Sequence, residues 1–398
     1  MNQQDTLTTI RSLANVSKRI SIAETELKLT GDAPNQLYYR TYNLNEACEA
    51  CRNVDHRKLK EVLVELGYNP KFCFPIDSLL LEKIRNKLLP ERSKKRSTKA
   101  VVYAFSNFKG GTCKTTSCVT LATGLCTEIF DRELRVGVID LDPQGSSTTF
   151  LRPNITDDDY SIGEILKQEY ELEEGETLAR FVNECFLDTQ IPNLRILPAR
   201  PMDRSYEAQV LREQFNAEQT KKHYAPHLEL KKIIDAVSEQ FDVIMIDCSP
   251  NFGTSVIAAH YVATSLIIPV RPSELDKDSS VKYFEFLEDI YSTVLCGFDH
   301  NGYDHINVLP TAVNENSSTE ITIASTLRIG ANNNCFQGNF LHSEAVSNLS
   351  ARHQTIFGES KSQYNATKKT LQRAQLSTYS LIVALYEQIQ STEFKREA

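Results

Sequence analysis

One segment limits the possible folds more than any other. Ser106–Ser117, "SNFKGGTCKTTS", lies between an apolar run, "AVVYAFSN" (100–107), and a helix-forming stretch, "SCVTLATGLCTEIF". A glycine-bearing turn between strand and helix aims successive backbone N–H groups and the positive end of the helix dipole at one point, which is a phosphate-binding geometry. Lys114 is placed to reach the β- and γ-phosphates of a nucleotide, and the Thr115 hydroxyl to hold Mg²⁺. The ordinary G-x-x-x-x-G-K-[ST] pattern fails at both glycines, where Phe108 and Cys113 stand. What matches is K-G-G-x-x-K-T, with a second lysine, Lys109, ahead of the glycines.

The rest of the chain after Val101 supplies the sheet such a turn needs. Apolar runs recur at 135–142, 193–200, 241–248, 263–270 and 305–313, near-continuous in apolar residues rather than alternating, as strands covered on both faces are. Helical stretches such as Thr115 to Phe130 and Leu228 to Gln240 separate them. The expectation is an α/β, doubly wound, mostly parallel sheet. Two of the runs end in acids: "VIDLDPQGSS" delivers Asp140 and Asp142, and "VIMIDCSP" delivers Asp247, all to the carboxyl edge where ligands of such sheets bind. Three acids converging on a phosphate loop point to a Mg²⁺–nucleotide site; pairing with Lys or Arg is the alternative for any one of them.

Composition excludes little but is asymmetric. A charged fraction of 24% and a hydrophobic fraction of 41% suit a globular chain of 398 residues with two or three domains. No apolar run reaches the roughly eighteen residues of a membrane span, and the first residues lack signal-peptide order, which predicts a cytoplasmic protein. Ten cysteines, several inside apolar runs, read as reduced thiols. The net charge of −8 divides into +6 over Met1–Lys99 and −14 over the remainder, a hint of polyanion binding at the front, or of a solvated basic surface.

In that front quarter, a short helix from about Leu44, a turn at Arg52–Val54 and a second helix capped by Asp55 make a helix-turn-helix pattern. Leu59, Val62, Leu63 and Leu66 share one face and Gly67 ends the helix, while His56, Arg57, Lys58 and Lys60 lie opposite. "CEAC" (48–51) lacks a second ligand pair for zinc and reads as helix packing. Leu7, Ile10, Leu13, Ile20 and Leu27 form an earlier stripe, and "PERSKKRSTKA" (90–100) a basic linker.

The ordered trio "KGGTCKTT", "VIDLDPQGSS" and "VIMIDCSP" resembles the Walker A, A′ and B segments of the ParA family of DNA-partition ATPases, over the chain from about Val101 onward. The resemblance implies ATP/ADP and Mg²⁺ as ligands and a weak ATPase. It places Gly110, Gly111, Thr112, Cys113, Lys114, Thr115 and Thr116 around the nucleotide, and Asp247 and Asp140 with Thr115 in the magnesium shell. Asp142 becomes the acid that positions the attacking water. Lys109 becomes the signature lysine that crosses to the other subunit's phosphates in an ATP-sandwich homodimer. "IIPVRPSELDKDSS", with Pro269, Pro272 and Asp276, resembles the stretch near nucleotide and partner subunit, and Thr311 and Asn314 the adenine-pocket strand end. Cys113 departs from the glycine frequent there.

For the front, the resemblance is to the larger members, whose extra α-helical, winged-helix-type DNA-binding domain represses their own operon. It implies residues 1–35 as a leading helix for dimerisation or packing on its own domain, 36–99 as the DNA-binding domain with the basic linker, and 100–398 as the ATPase domain. Arg352, Lys361, Lys368 and Lys369 are candidates for nonspecific DNA binding, or a solvated helix face. Implied partners are a ParB-like centromere-binding protein and DNA, with homodimers assembling on it in a nucleoid-associated setting and no membrane. Two alternatives are a MinD-like membrane-positioning ATPase and a nitrogenase-reductase-like electron carrier. The first needs a basic amphipathic tail, whereas "LSTYSLIVALYEQIQSTEFKREA" ends in balanced charge; the second needs cluster cysteines that are not evident.

Overall fold

A computed structural model describes residues 39–92, 99–128, 130–220, 224–298 and 300–397. The leading stripe from Leu7 to Leu27 and most of the basic linker lie outside these residues.

Residues 39–398 form one compact unit. It begins with a small module: strand β1 (Thr41–Tyr42), helices α1 (Leu44–Glu49) and α2 (His56–Glu65), strand β2 (Ile76–Asp77) and helix α3 (Ser78–Leu88). Asn43 and Glu46 cap α1 reciprocally, and Asp55 starts α2 by accepting from Arg57 N at 2.7 Å. Left-handed residues Arg52 and Asn53 make the turn between the two helices, and Gly67 at φ +85 ends the passage out of α2. Leu59, Val62 and Leu63 of the expected stripe are buried with Leu81 and Ile84 of α3, and both cysteines of "CEAC" join that core. β1 and β2 pair antiparallel, Thr41 opposite Asp77.

The remainder is an eight-stranded sheet: β3 (Val101–Phe105), β4 (Val136–Asp140), β5 (Leu187–Asp188), β6 (Leu194–Leu197), β7 (Val243–Asp247), β8 (Ser265–Val270), β9 (His305–Val313) and β10 (Phe340–Leu341). Its order is β10-β9-β8-β3-β7-β4-β6-β5, parallel except for the β5–β6 edge. The two-residue edge strands carry no sequence signal; the six long apolar runs all appear, most of them trimmed at one or both ends and 305–313 unchanged.

Helices cover both faces, which is why the strands are apolar throughout. Val101, Tyr103 and Phe105 face α4 (Lys114–Thr127) and the long C-terminal helix, while Val102 and Ala104 face the opposite layer. Between the strands run α5 (Ser146–Leu151), α6 (Ile162–Leu166), α7 (Leu178–Cys185), α8 (Ser205–Thr220), α9 (His227–Val237), α10 (Thr254–Val262), α11 (Glu274–Ile290), α12 (Ser318–Ala331) and α13 (Glu344–Ser350). α14 (Lys368–Glu397) closes the chain and buries Leu371, Leu381, Ile382, Leu385 and Ile389 on α4's side of the sheet. Gly124 of α4 permits that packing, because a Cβ there would collide with Ile382. The expected helix Thr115 to Phe130 stops at Thr127, since Glu128 is extended and the chain turns toward β4.

Candidate nucleotide site

The carboxyl ends of β3, β7 and β4 lie side by side, with Phe105 opposite Asp247 and Asp247 opposite Asp140. The three motifs are therefore neighbours because the strands that carry them pair in register.

The loop after β3 is laced to adjoining strands. Asn107 Nδ2 donates to Pro269 O of β8 (2.8 Å), and its Oδ1 accepts from Lys109 N (3.0 Å). Thr311 Oγ1 donates to Thr112 O (2.9 Å). Thr311 is thus a buried tie on the loop, whereas Asn314 is exposed and accepts from Asn316 N. Pro272 is buried just past β8, and Phe108, in place of the ordinary glycine, stacks edge-on against Tyr283, Phe286 and Phe252. The side chain of Asp276 lies outside what the structure describes.

Gly110 and Gly111 are exposed at the turn, with Gly111 at φ +76. Cys113 is left-handed, at φ 61 and ψ 29, as the residue before α4, a conformation that costs a residue with a Cβ about 1–2 kcal/mol. That backbone is the reason for a glycine here, and this chain adopts it with a thiol. Burial pushes the Cys113 thiol up, with Arg271 and Lys114 pulling it back. Lys114 is buried and its ammonium curls back to donate to Lys109 O at 3.1 Å. Burial pulls its pKa down, offset in part by the Asp247 carboxylate.

Asp247 Oδ2 accepts from Thr115 Oγ1 and from Ser147 Oγ, each at 2.7 Å. Its other oxygen, Oδ1, is buried with no hydrogen-bond partner, a state that costs about 1–3 kcal/mol unless something binds it. A hydroxyl already on one carboxylate oxygen and an orphaned oxygen beside it fit Mg²⁺, which takes one or two carboxylates and completes its shell with phosphates and water. Among the described residues no group of three or more His, Cys, Asp or Glu comes together as a metal-binding cluster.

Asp140 stands differently. Oδ2 accepts from Thr148 N and Thr148 Oγ1, both at 2.8 Å, and Oδ1 from Asp142 N at 3.1 Å. Both oxygens are committed to the β4–α5 turn. Burial, and then the charge of Asp247, holds its carboxyl well above the usual range; burial likewise raises Asp247. Asp142 is half-exposed, accepts from Gln144 N at 3.0 Å, and lies near enough to bear on both Lys114 and Asp247. Thr112 is buried, and Thr116 and Lys109 are half-exposed. Ser147 and Thr148 escaped the sequence reading; the polar run "GSST" (145–148) soon after the A′ acids was their only signal.

The basic candidates lie elsewhere. His56, Arg57, Lys58 and Lys60 are exposed on the first turns of α2, with Arg57 paired to Glu61 at 3.1 Å. Arg352 pairs with Glu359 and Lys361 with Glu49 of the front module, each at 3.6 Å. Lys368 and Lys369 are exposed at the start of α14.

A strand, a phosphate loop, a helix and a Mg²⁺-competent acid on the next strand over define a P-loop nucleotide-binding protein. A family model described as "AAA domain" matches residues 100–295. Plasmid partition protein A of Escherichia coli is 29% identical over 203 residues, which cover 50% of this chain and 49% of that protein. The "Putative replication protein A" of Rhizobium rhizogenes is 24% identical over 273 residues, 69% of this chain and 65% of that one. The matches thus span about half (49%) and just under two thirds (65%) of those relatives' lengths. A solved structure titled "Partition Protein" superposes with a TM-score of 0.60 at 18% identity, covering 87% of this chain and 95% of the other, which shows the shared fold. Over residues 100–295 the chain thus matches an AAA-domain family model, and the relatives it resembles are partition ATPases of the ParA type. Among the described residues no helix is long and apolar enough to cross a membrane.

Proposed function

We propose that this chain is an ATP-dependent DNA-partition protein whose nucleotide-dependent homodimer binds nonspecific DNA and represses its own operon. The observation that carries the reading is the hydrogen-bonded set Thr115–Asp247–Ser147 beside a loop with two lysines.

The chemistry is hydrolysis of ATP to ADP and phosphate, which needs charge neutralisation and an aligned water more than covalent participation. Lys114 gives up Lys109 O for the bound phosphates, and the N–H groups of Gly110 to Thr116 cradle them. Thr115 and Asp247 would hold Mg²⁺, which supplies neutralisation of the phosphate oxygens when bound. Asp142, at the site's open side, orients the attacking water; Asp140, through its bonds to the 142 and 148 amides, keeps that acid in place. Lys109 serves the phosphates of a second subunit, which couples hydrolysis to assembly.

A ParB-like centromere-binding partner stimulates the reaction and releases the dimer from DNA. Operator DNA is bound by α2, with His56, Arg57, Lys58 and Lys60 set against its phosphates. Lys368 and Lys369 remain candidates for nonspecific DNA, while the pairing of Arg352 and Lys361 with acids leaves them less available. Pro272 borders the nucleotide from β8, and the protein works in the cytoplasm on the nucleoid.

The test is binding to operator and random duplexes with ATP, ADP or no nucleotide. ATP is expected to strengthen random-duplex binding, and Lys114→Ala to abolish that effect. Lys109→Ala is expected to bind ATP normally and fail to dimerise. If ATP leaves random-duplex binding of the wild type unchanged, the partition mechanism fails.

A further inference from the structure

The helix that begins at the phosphate loop ends against the front module. α4 terminates at Thr127, and the last carbonyls of a helix lack partners within it and carry partial negative charge. Arg85 of α3, only 4% exposed, donates through Nη2 to Thr127 O (3.0 Å) and through Nε to Ala50 O (2.9 Å), the cap residue of α1. Arg52, in the α1–α2 turn, donates through Nη2 to Phe130 O (3.1 Å), and Arg92 through Nε to the same oxygen (3.2 Å). Glu133 N donates in return to Arg92 O (3.2 Å). Three guanidiniums, two of the front module and one just past it, thus grip the chain where α4 stops.

The grip is stiff at both ends. α4 is buried at Lys114 and along Ser117–Leu125, and its Gly124 is pressed against Ile382 of α14, so it has no space to bend. Fourteen residues make a rod about 21 Å long. Glu82 lies 3.4 Å from Arg85 and 3.8 Å from Arg92, so the buried cations are compensated in place.

We infer that α4 transmits occupancy of the phosphate loop to the α1–α2 turn, with Arg85 as the positioning residue that joins helix and module. The inference rests on the nucleotide reading of the loop. When phosphate draws the Lys114 ammonium and the first amides of α4 toward it, the helix moves as a unit. Thr127 O and Phe130 O move with it, and Arg85 and Arg52 carry the shift to the turn that precedes Asp55, the cap of α2. Packed elements of this kind switch between discrete arrangements rather than deforming smoothly.

The experiment is amide hydrogen exchange of the full chain with and without ATP and Mg²⁺, read over residues 50 to 58, together with direct measurement of ATP affinity. In the wild type, exchange in that turn is expected to change by about fivefold or more, the lower end of allosteric coupling. In Arg85→Met the response is expected to vanish while ATP affinity stays within about twofold of wild type. Arg52→Met, which removes an exposed side chain and leaves the buried cluster intact, is expected to lose part of the response and serves if Arg85→Met does not fold. An unchanged response in both variants overturns the inference, as does a wild type that binds ATP without any change at the turn. A wild type that binds no ATP sinks the nucleotide reading itself, and this inference with it.

Discussion

The carboxyl edge of the sheet and the exposed face of α2 are both rich in charge, yet they are built on opposite principles. At the sheet edge, Asp140 and Asp247 are fully buried and Lys114 nearly so, each held by named partners 2.7–3.1 Å away. On α2, His56, Arg57, Lys58 and Lys60 stand in solvent, and the ion pair Arg57–Glu61 is an exposed helix pair worth at most about 0.5 kcal/mol. A buried charge with prearranged partners marks a site that waits for a particular small ion or nucleotide. Exposed cations mark a surface that can meet a polyanion in many registers.

The comparison breaks most visibly at Lys114. Lys114→Ala removes the buried ammonium of the loop, and ATP affinity measured by calorimetry is expected to fall by about 10–150-fold, the ~1.5–3 kcal/mol of a hydrogen bond to a charged group. A loss below tenfold would mean the ammonium is a structural clasp on Lys109 O and no phosphate ligand.

A second test concerns how deeply the buried edge is fixed. His260 of α10 lies beneath the loop, with Nε2 2.9 Å from Ser106 Oγ and Nδ1 3.2 Å from Tyr303 OH. Burial first, then the nearby His300, lowers its pKa to about 4. The fold therefore favours the neutral ring, so this contribution to stability is complete above the unfolded value near 6.5 and is lost as pH falls toward 4. Between about pH 7 and pH 4.5 the loss is ~2 kcal/mol. His260→Gln, which cannot titrate, is expected to flatten the pH dependence of denaturant unfolding by that amount. An identical slope in wild type and variant would mean that the ring is hydrated and charges without penalty.

These two regions also differ in how far the sequence revealed them. "KGGTCKTT" and the acids of "VIDLDP" and "VIMIDC" are legible because apolar runs name the strands and the chemistry follows at their ends. Adjacency of the motifs follows from parallel strand order, a general rule of such sheets. The commitment of both Asp140 oxygens to Thr148 and Asp142 was not legible, nor was the Thr311 tie to the loop, because each depends on how a turn closes. The arginine grip on α4 was still less so: its bonds join residues 42, 78 and 38 positions apart, and an arginine in a turn or on an amphipathic helix reads as surface. For the basic residues of 351–373 the sequence showed charge but not that Lys361 pairs with Glu49.

For α2 the expected effect is smaller and of another kind. Arg57→Ala or Lys58→Ala should weaken binding to operator and random duplexes alike by about tenfold or less, and lower the salt slope of binding by about one for each phosphate no longer neutralised. If either variant instead lost affinity for operator alone, that side chain would be reading base edges, and α2 would resemble the prearranged sheet edge more than the exposed surface described above.

The smallest effect should come from Cys113, and its size follows from opposed terms. Glycine would relieve the left-handed backbone, worth about 1–2 kcal/mol, but would lose about 0.5–1 kcal/mol through the greater freedom of the unfolded chain. It would also forfeit the packing of a half-buried thiol. Cys113→Gly is therefore expected to change stability by less than ~1 kcal/mol, a melting shift of about 2 °C or less in a chain of this length, with ATP affinity unchanged. Cys113→Val keeps the strain and adds a β-branched side chain at positive φ, so it should destabilise where glycine does not. With burial raising its pKa, the Cys113 thiol should also react with iodoacetamide more slowly than exposed Cys296. Should Cys113→Gly instead destabilise the protein by well over about 1 kcal/mol, the thiol would be holding the loop through packing that outweighs its own backbone strain, and the departure from glycine would be a structural requirement of this chain.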